Sequence, residues 1–187
     1  MVMPGKTLSI VFSLLLLVLV GCTKKMDLTP EQPLPHGVVD SVAITDTVKD
    51  NRIDRDALLK LVNGVRSRGC NCGGQQMAPV GPVNWNGLLE KAAYAHSKDM
   101  TDNHYFNHTG LNGSTPGGRL DAVGYNWSFY GENIANGSMD EQAVILGWLH
   151  SPDHCRNIMN GNFVEIGVGR NGLNWTMELG SRRASAN

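Results

Sequence analysis

Two histidines and one glutamate, His108, Glu132 and His154, are the side chains of this sequence best suited to chemistry. They come from three separate segments, and each lies beside a glycine or proline turn or an apolar run. Two imidazoles and a carboxylate in one cleft can bind a divalent metal ion or transfer protons. Spacing along the chain leaves open whether they converge, because Glu132 could equally cap a turn and His154 could simply begin a helix.

The remaining histidines have simpler interpretations. His96 lies on the apolar face of a predicted helix, and we interpret it as a hydrogen-bonded core histidine. His104 and His108 have the i, i+4 spacing of a helical metal pair, but the Asn-His-Thr-Gly segment at 107–110 predicts that the helix has already ended. The chain contains no H-E-x-x-H, G-x-S-x-G or phosphate-loop motif. A candidate catalytic residue is therefore limited to Glu132.

The N-terminal segment predicts export. A lysine at position 6 precedes a mostly apolar run of 13 residues from Leu8 to Val20, which is too short to span a membrane and typical of a secretory signal. The run ends in Leu-Val-Gly-Cys, which resembles a bacterial lipobox. We therefore expect residues 1–21 to be a lipoprotein signal peptide and Cys22 to be lipidated, which would attach the protein to a membrane surface in the cell envelope.

Composition divides the rest of the chain. Residues 22–52 contain three prolines and few large apolar side chains, which predicts a flexible tether after the lipidated cysteine. Residues 53–182 are long enough for one domain with a substantial core, and 183–187 are predicted to be a disordered tail. The formal net charge is -1 and no basic stripe is visible, so nucleic acid is not expected as a partner.

Apolar spacing predicts several helices and few strands. A first helix ends at Arg68, a second begins near Asn86, and a short third covers 119–123. A capping box at Ser138–Glu141 is expected to open a further helix, which Pro152 ends before a short helix carrying His154. Apolar alternation after Val164 and the pair Asn171-Gly172 predict a β-hairpin. These elements indicate an α+β domain with a small, mostly antiparallel sheet.

Three cysteines lie in the predicted domain, so one disulfide would leave one thiol. A Cys70–Cys72 bridge would close a very tight ring. We expect Cys72 to pair with Cys155, with Cys70–Cys155 as the open alternative. The bridge would enclose about 84 residues and contribute roughly 4 kcal/mol in the chain-entropy model.

Five segments in order resemble the CAP superfamily, the SCP-like domain of cysteine-rich secretory, antigen 5 and pathogenesis-related proteins, in its bacterial branch. They are HSKDM (96–100), FNHTG (106–110), GENIA (131–135), GWLHSPDHCRNIM (147–159) and EIGVG (165–169), and the resemblance covers about residues 55–180. It implies a three-layer α-β-α sandwich with a shallow cavity lined by two histidines and two glutamates, which binds a divalent metal in some members.

The resemblance assigns three of those four cavity residues. His108 matches the first family histidine, Glu132 the glutamate of the GEN motif, and His154 the second histidine. The second glutamate has no match, because Ser151 occupies the position expected for it three residues after the helix tryptophan.

Two functions remain open from the sequence. In the first, the protein is a membrane-tethered binding or interaction module, with a divalent metal ion held by His108 and His154, or with a small-molecule or lipid ligand. In the second, it is a metal-dependent hydrolase that uses Glu132 as its general base. Nitrogen ligands favour zinc, nickel or copper over magnesium or calcium. We favour the binding module, because the sequence reveals no nucleophile.

Overall fold

A computed structural model describes Val48 and residues 50–184 of the chain. The predicted signal peptide, the lipidated Cys22 and most of the predicted tether therefore lie outside the described residues. Among the residues described, no helix is both long enough and apolar enough to cross a membrane.

The two long helices form where their spacing and end signals predict. Helix α1 covers Arg55–Arg68, and its N-terminus is capped by Asp54, whose side chain accepts from the backbone N–H of Ala57. It ends at Gly69, which adopts the left-handed φ of 77° that favours glycine. Helix α2 covers Gly87–Asp102 and is capped by Asn86.

Three shorter helices follow. Helix α3 covers Pro116–Ala122, α4 covers Glu141–His150 and α5 covers Pro152–Ile158. The predicted capping box at Ser138 is wrong, because the N-cap of α4 is Asp140, which accepts from the backbone N–H of Ala143. Glu141 is then the first helical residue, and its carboxylate accepts from the backbone N–H of Asp54 instead of returning to its own helix.

Within the residues that the structure describes, six strands form two sheets. The glycine- and proline-rich segment after α1 contains a small hairpin of β1 (Cys70–Cys72) and β2 (Gln75–Met77). The main sheet has the order β3-β5-β6-β4. Its strands are β3 (Asn84–Trp85), β4 (Trp127–Asn136), β5 (Glu165–Asn171) and β6 (Asn174–Arg182). Only the β3–β5 pair is parallel, as expected for a mostly antiparallel sheet.

The elements form the three layers of an α-β-α sandwich. Helix α2 packs on one face of β5 and β6, whereas α1, α4 and α5 enclose the main core on the other face. At Gly167 and Gly169 the backbones of β5 and α2 are so close that a Cβ would lie 2.1 Å from the nitrogen of Glu90 or Tyr94. Strands β5 and β6 are therefore buried on both faces, while β4 forms an edge of the sheet.

A disulfide joins Cys72 of β1 to Cys155 of α5, with the Cα atoms 5.4 Å apart. This is the pairing that the sequence favours. The expectation of a remaining thiol is not met, since no cysteine is free in the part of the chain that the structure describes. The bridge fixes the segment carrying His154 to the hairpin that follows α1.

Contacts at both ends extend slightly beyond the predicted domain limits. The Asn51 side chain donates to the carbonyl of Val168, at 2.8 Å, and to the carboxylate of Glu90. At the other end, the backbone N–H of Arg183 donates to the carbonyl of Asn126 at 2.9 Å. The folded unit thus includes residues 51–183, and residues 185–187 lie outside the described part.

Candidate functional site

His108 and Glu132 are in direct contact. The Nδ1 atom of His108, in the loop between α2 and α3, lies 2.6 Å from Oε1 of Glu132 on the edge strand β4. The His108 side chain is 48% exposed, whereas that of Glu132 is only 2% exposed. The buried Glu132 carboxylate therefore contacts Nδ1 of His108, and the other edge of the His108 ring faces solvent.

Arg119 of α3 completes this contact. Its Nη2 atom donates to Oε2 of Glu132 at 2.5 Å and to the carbonyl oxygen of His108 at 3.0 Å. Its Nη1 atom donates to the carbonyl of Ser114 at 3.1 Å. One guanidinium thus connects the glutamate, the histidine loop and the start of α3, and it compensates the buried negative charge.

A second carboxyl group lies beside Glu132. Glu178 of β6 is directly opposite Glu132 in the antiparallel register, and it is fully buried. Burial raises the pKa of Glu178 well above its usual range, and the negative charge of Glu132 and a hydrogen bond with it raise the pKa further. Burial also acts to raise the pKa of Glu132, but the His108 hydrogen bond, the Arg119 charge and the Glu178 hydrogen bond outweigh it and lower that pKa.

His96 of α2 lies against the same glutamate. Its side chain is 1% exposed, and Nε2 lies 3.0 Å from the carbonyl oxygen of Asn107 and 3.9 Å from Oε2 of Glu132. Burial lowers the pKa of His96 more than the Glu132 charge raises it. The expected hydrogen-bonded core histidine is confirmed, and its position makes it part of the wall behind Glu132.

His154 is positioned by contacts between α5 and β4. The side chain of Asn133 donates to the carbonyl of His154 at 3.1 Å, and the side chain of Asn157 donates to the carbonyl of Glu132 at 3.2 Å. Burial, followed by the positive charge of His108, lowers the pKa of His154. His154 is therefore half-buried, within electrostatic range of His108 and favoured in its neutral form.

The donor atoms of His108, Glu132 and His154 do not form a tight three-ligand group. Among the described residues, the only three or more His, Cys, Asp or Glu side chains with ligand atoms within 4.8 Å of one another are Cys70, Cys72 and Cys155. Two of those sulfurs are bonded to each other, so this group is the surroundings of a disulfide. The chemistry of the two imidazoles nevertheless fits a borderline metal such as zinc, because such metals prefer nitrogen ligands and His108 has its Nδ1 engaged.

A depression of about 460 Å³ lies between the end of α2 and the β5–β6 turn. His104, Tyr105 and Leu173 line it, but none of the three predicted cleft residues does. His104 follows the end of α2 with a left-handed φ of 55°, so it forms no helical pair with His108.

The sequence did not point to Arg119 or Glu178. Arg119 follows two glycines in a short helix, and Glu178 lies between Met177 and Leu179, on the opposite face of the strand from these apolar residues. The sequence did contain one signal for Glu178. Its carboxylate lies in a strand of the predicted hairpin, and an ionisable side chain buried inside a sheet requires a partner.

The α-β-α sandwich is the fold of an SCP-like domain. The chain belongs to the CAP family, described as the cysteine-rich secretory protein family, whose pattern matches residues 59–174. The expected family and fold are thereby confirmed.

Bacterial proteins share both the sequence and the fold. The uncharacterized protein YkwD of Bacillus subtilis (strain 168) is 35% identical over 107 residues, which are 56% of this chain and 42% of YkwD. An extracellular protein containing an SCP domain from Bacillus anthracis str. Ames is 32% identical with a TM-score of 0.61, over 68% of this chain and 40% of that one. This chain therefore spans less than half the length of these two relatives.

A third comparison supports the fold alone. An outer surface protein from Borrelia burgdorferi superimposes with a TM-score of 0.56 at 22% identity, over 70% of this chain and 97% of that one. The shared fold covers nearly all of that chain.

Proposed function

We propose that this protein is an exported, membrane-tethered CAP-domain binding module that takes up a divalent transition-metal ion through His108 and His154. The observation that carries the proposal is the 2.6 Å contact between His108 Nδ1 and Glu132 Oε1. A histidine that ligates a metal commonly gives its other ring nitrogen to a carboxylate, which fixes the ring and its tautomer.

The surroundings of this contact support a prepared ligand. Glu132 is held by Arg119 on its second oxygen, so the carboxylate cannot rotate away from His108 without breaking a charged hydrogen bond. The Nε2 atom of His108 then remains for a ligand. His154 supplies the second imidazole, and its lowered pKa favours the neutral form that binds a metal.

The donor set indicates the type of ion and the strength of binding. Two imidazole nitrogens favour zinc, copper or nickel over magnesium and calcium, which prefer oxygen ligands. Bound in this way, such an ion would supply a Lewis-acidic positive charge with open positions for a further ligand. We expect modest affinity, because two protein ligands are fewer than the three usual for a catalytic zinc.

The alternative hydrolase is less well supported by the geometry. A general base must accept a proton from a reacting group, yet Glu132 is buried and both of its oxygens are engaged, by His108 and Arg119. The arrangement is better suited to holding His108 than to taking a proton from a substrate. We therefore assign Glu132 an orienting function.

Three features support export, and the first of them also supports tethering. The apolar segment before Cys22 is typical of a lipoprotein signal. The Cys72–Cys155 disulfide fits an oxidising compartment. The Bacillus anthracis relative is described as extracellular.

Calorimetric titration of the purified full chain with zinc tests the proposal. We expect single-site binding that falls at least tenfold in His108→Ala and in His154→Ala. His150→Ala is the matched control, since His150 is an exposed histidine at the end of α4, and it should bind as the parent does. Equal zinc affinity in the parent and in the double variant His108→Ala/His154→Ala would reject the assigned site.

A further inference from the structure

Glu178 lies in surroundings that do not suit a carboxylate. It is fully buried in the inner strand β6, and neither of its oxygens accepts a hydrogen bond from any nitrogen or hydroxyl of the described residues. Its neighbour on β5 is Gly167, which carries no side chain, and its neighbour on β4 is Glu132. Of the two residues directly opposite Glu178 in the sheet, Glu132 alone offers a polar side chain, and it is another carboxyl group.

We propose that Glu178 is a protonated positioning residue of the candidate site. Its carboxyl O–H donates a hydrogen bond to Glu132 and so holds Glu132 against His108. Two carboxyl groups can form a hydrogen bond only when one of them carries a proton. Glu178 is the member that keeps it, because Glu132 already accepts from His108 and Arg119 as a carboxylate.

The charges around the pair support this division. Arg119 of α3 is the one permanent positive charge among the described residues that contacts the pair, and it donates to Glu132. From α2, His96 faces the pair, and burial lowers its pKa, which favours the neutral ring. His108 from the preceding loop contacts Glu132 as well. One guanidinium can balance one buried carboxylate, and a second buried negative charge would have no counterpart.

The proton has a consequence for the candidate site. In this arrangement the neutral Glu178 holds the Glu132 carboxylate in position, and that carboxylate in turn holds the His108 ring in position. The family position expected to supply a second glutamate holds Ser151, so the second carboxyl group of this cleft comes instead from the inner strand. The effect on metal binding rests on the proposed function, whereas the proton itself does not.

Nuclear magnetic resonance of the metal-free full chain tests the proton directly. With glutamate side chains labelled with ¹³C, we expect one carboxyl signal at the chemical shift of a protonated acid at pH 7, and we expect Glu178→Gln to remove it. A spectrum of the parent at pH 7 that shows only ionised glutamates would overturn the proposal.

Histidine ring signals test the positioning effect without metal. Glu178→Gln keeps an N–H donor toward Glu132, so the His108 ring signals should match those of the parent. Glu178→Met removes the donor at similar size, and those signals should shift or broaden. Identical His108 spectra in the methionine variant and the parent would contradict a positioning effect.

Zinc titration of the same variants separates this proposal from the previous one. We expect near-parental affinity in Glu178→Gln and about tenfold weaker binding in Glu178→Met, the loss typical of a partner behind a ligand. Absence of zinc binding in the parent would reject the metal site, while the resonance measurements would still decide the state of Glu178. Equal affinities in the parent and both variants, with zinc bound, would overturn the positioning effect.

Discussion

Arg119 and Glu132 form a buried ion pair beside His108, with Nη2 and Oε2 2.5 Å apart and side chains only 10% and 2% exposed. Removing one member of a buried ion pair leaves the other charge without compensation, and the loss greatly exceeds that of a surface pair. The pair therefore contributes to folding as well as to the position of His108.

Arg119→Met should lower the free energy of unfolding by about 3 kcal/mol at pH 7, because the Glu132 carboxylate stays buried without its cation. Urea denaturation measures this loss. Arg156→Met is the matched control, since Arg156 pairs with the exposed Asp153 and should lose less than about 1 kcal/mol. A loss of the same size in both variants would mean that burial of the Arg119 pair has no special importance.

Glu178→Gln should stabilise the protein increasingly as the pH rises above about 4.5. The folded state retains the Glu178 proton at pH values where the unfolded chain, with its ordinary pKa of 4.5, has lost it. The parent's stability therefore falls as pH rises through this window, by about 1.4 kcal/mol per pH unit from this group alone. Glutamine has no proton to lose, so the difference between variant and parent should widen with pH. Thermal unfolding of both proteins from pH 4 to pH 7 checks this, and parallel curves would show that Glu178 titrates normally.

Cys155→Ala should lower stability by about 2–5 kcal/mol, as expected for losing a native disulfide that closes a long loop. Cys72→Ala should cost a similar amount, and the double variant should cost little more than either single one, because both changes remove the same bond. Denaturation under non-reducing conditions measures all three. Fully additive losses would indicate that the two sulfurs act independently.

Gly167→Ala should destabilise the fold by about 3 kcal/mol or more, since the new Cβ would lie 2.1 Å from the backbone nitrogen of Glu90 and neither backbone can yield easily. Gly147→Ala is the contrasting change. Gly147 lies on the exposed side of α4 with nothing within 4 Å of the added atom, so alanine should raise stability by up to about 1 kcal/mol. Thermal unfolding distinguishes the two, and similar effects from both would contradict the close packing of α2 on β5.

Cys22→Ser should release the protein from the membrane fraction or leave its signal segment uncleaved. The reason is that Cys22 ends the apolar run where a lipoprotein would be modified. Fractionation and electrophoretic mobility measure both effects. A variant that fractionates and migrates like the parent would show that Cys22 is not the anchor.

Signals between residues close in sequence were sufficient to predict much of the fold. The spacing of Leu58, Val62 and Val65 located α1, and the Asn171-Gly172 pair located the β5–β6 turn. The start of α4 was misplaced, because Ser138 and Asp140 are both good N-caps and the choice depends on Glu141 reaching Asp54, a contact between distant segments. The β1–β2 hairpin was missed because its three-residue strands are too short to show alternation.

The candidate site was harder to predict from the sequence than the fold. The types of His108, Glu132 and His154 suggested chemistry, and the family resemblance suggested that they lie together. Arg119 and Glu178 acquire their significance only from the register of β4 against β6 and from the packing of α3. A buried charge is defined by its partners, and those partners are distant in sequence.

The bridge between Cys72 and Cys155 also determines what proteolysis can do to this molecule. A single cut anywhere within residues 73–154 would divide the backbone but leave two fragments joined through the cystine. That interval includes His108, Arg119 and Glu132. A nicked molecule would keep its two fragments joined until a reductant separated them, so a single cleavage would not by itself detach strands β5 and β6 from helix α1.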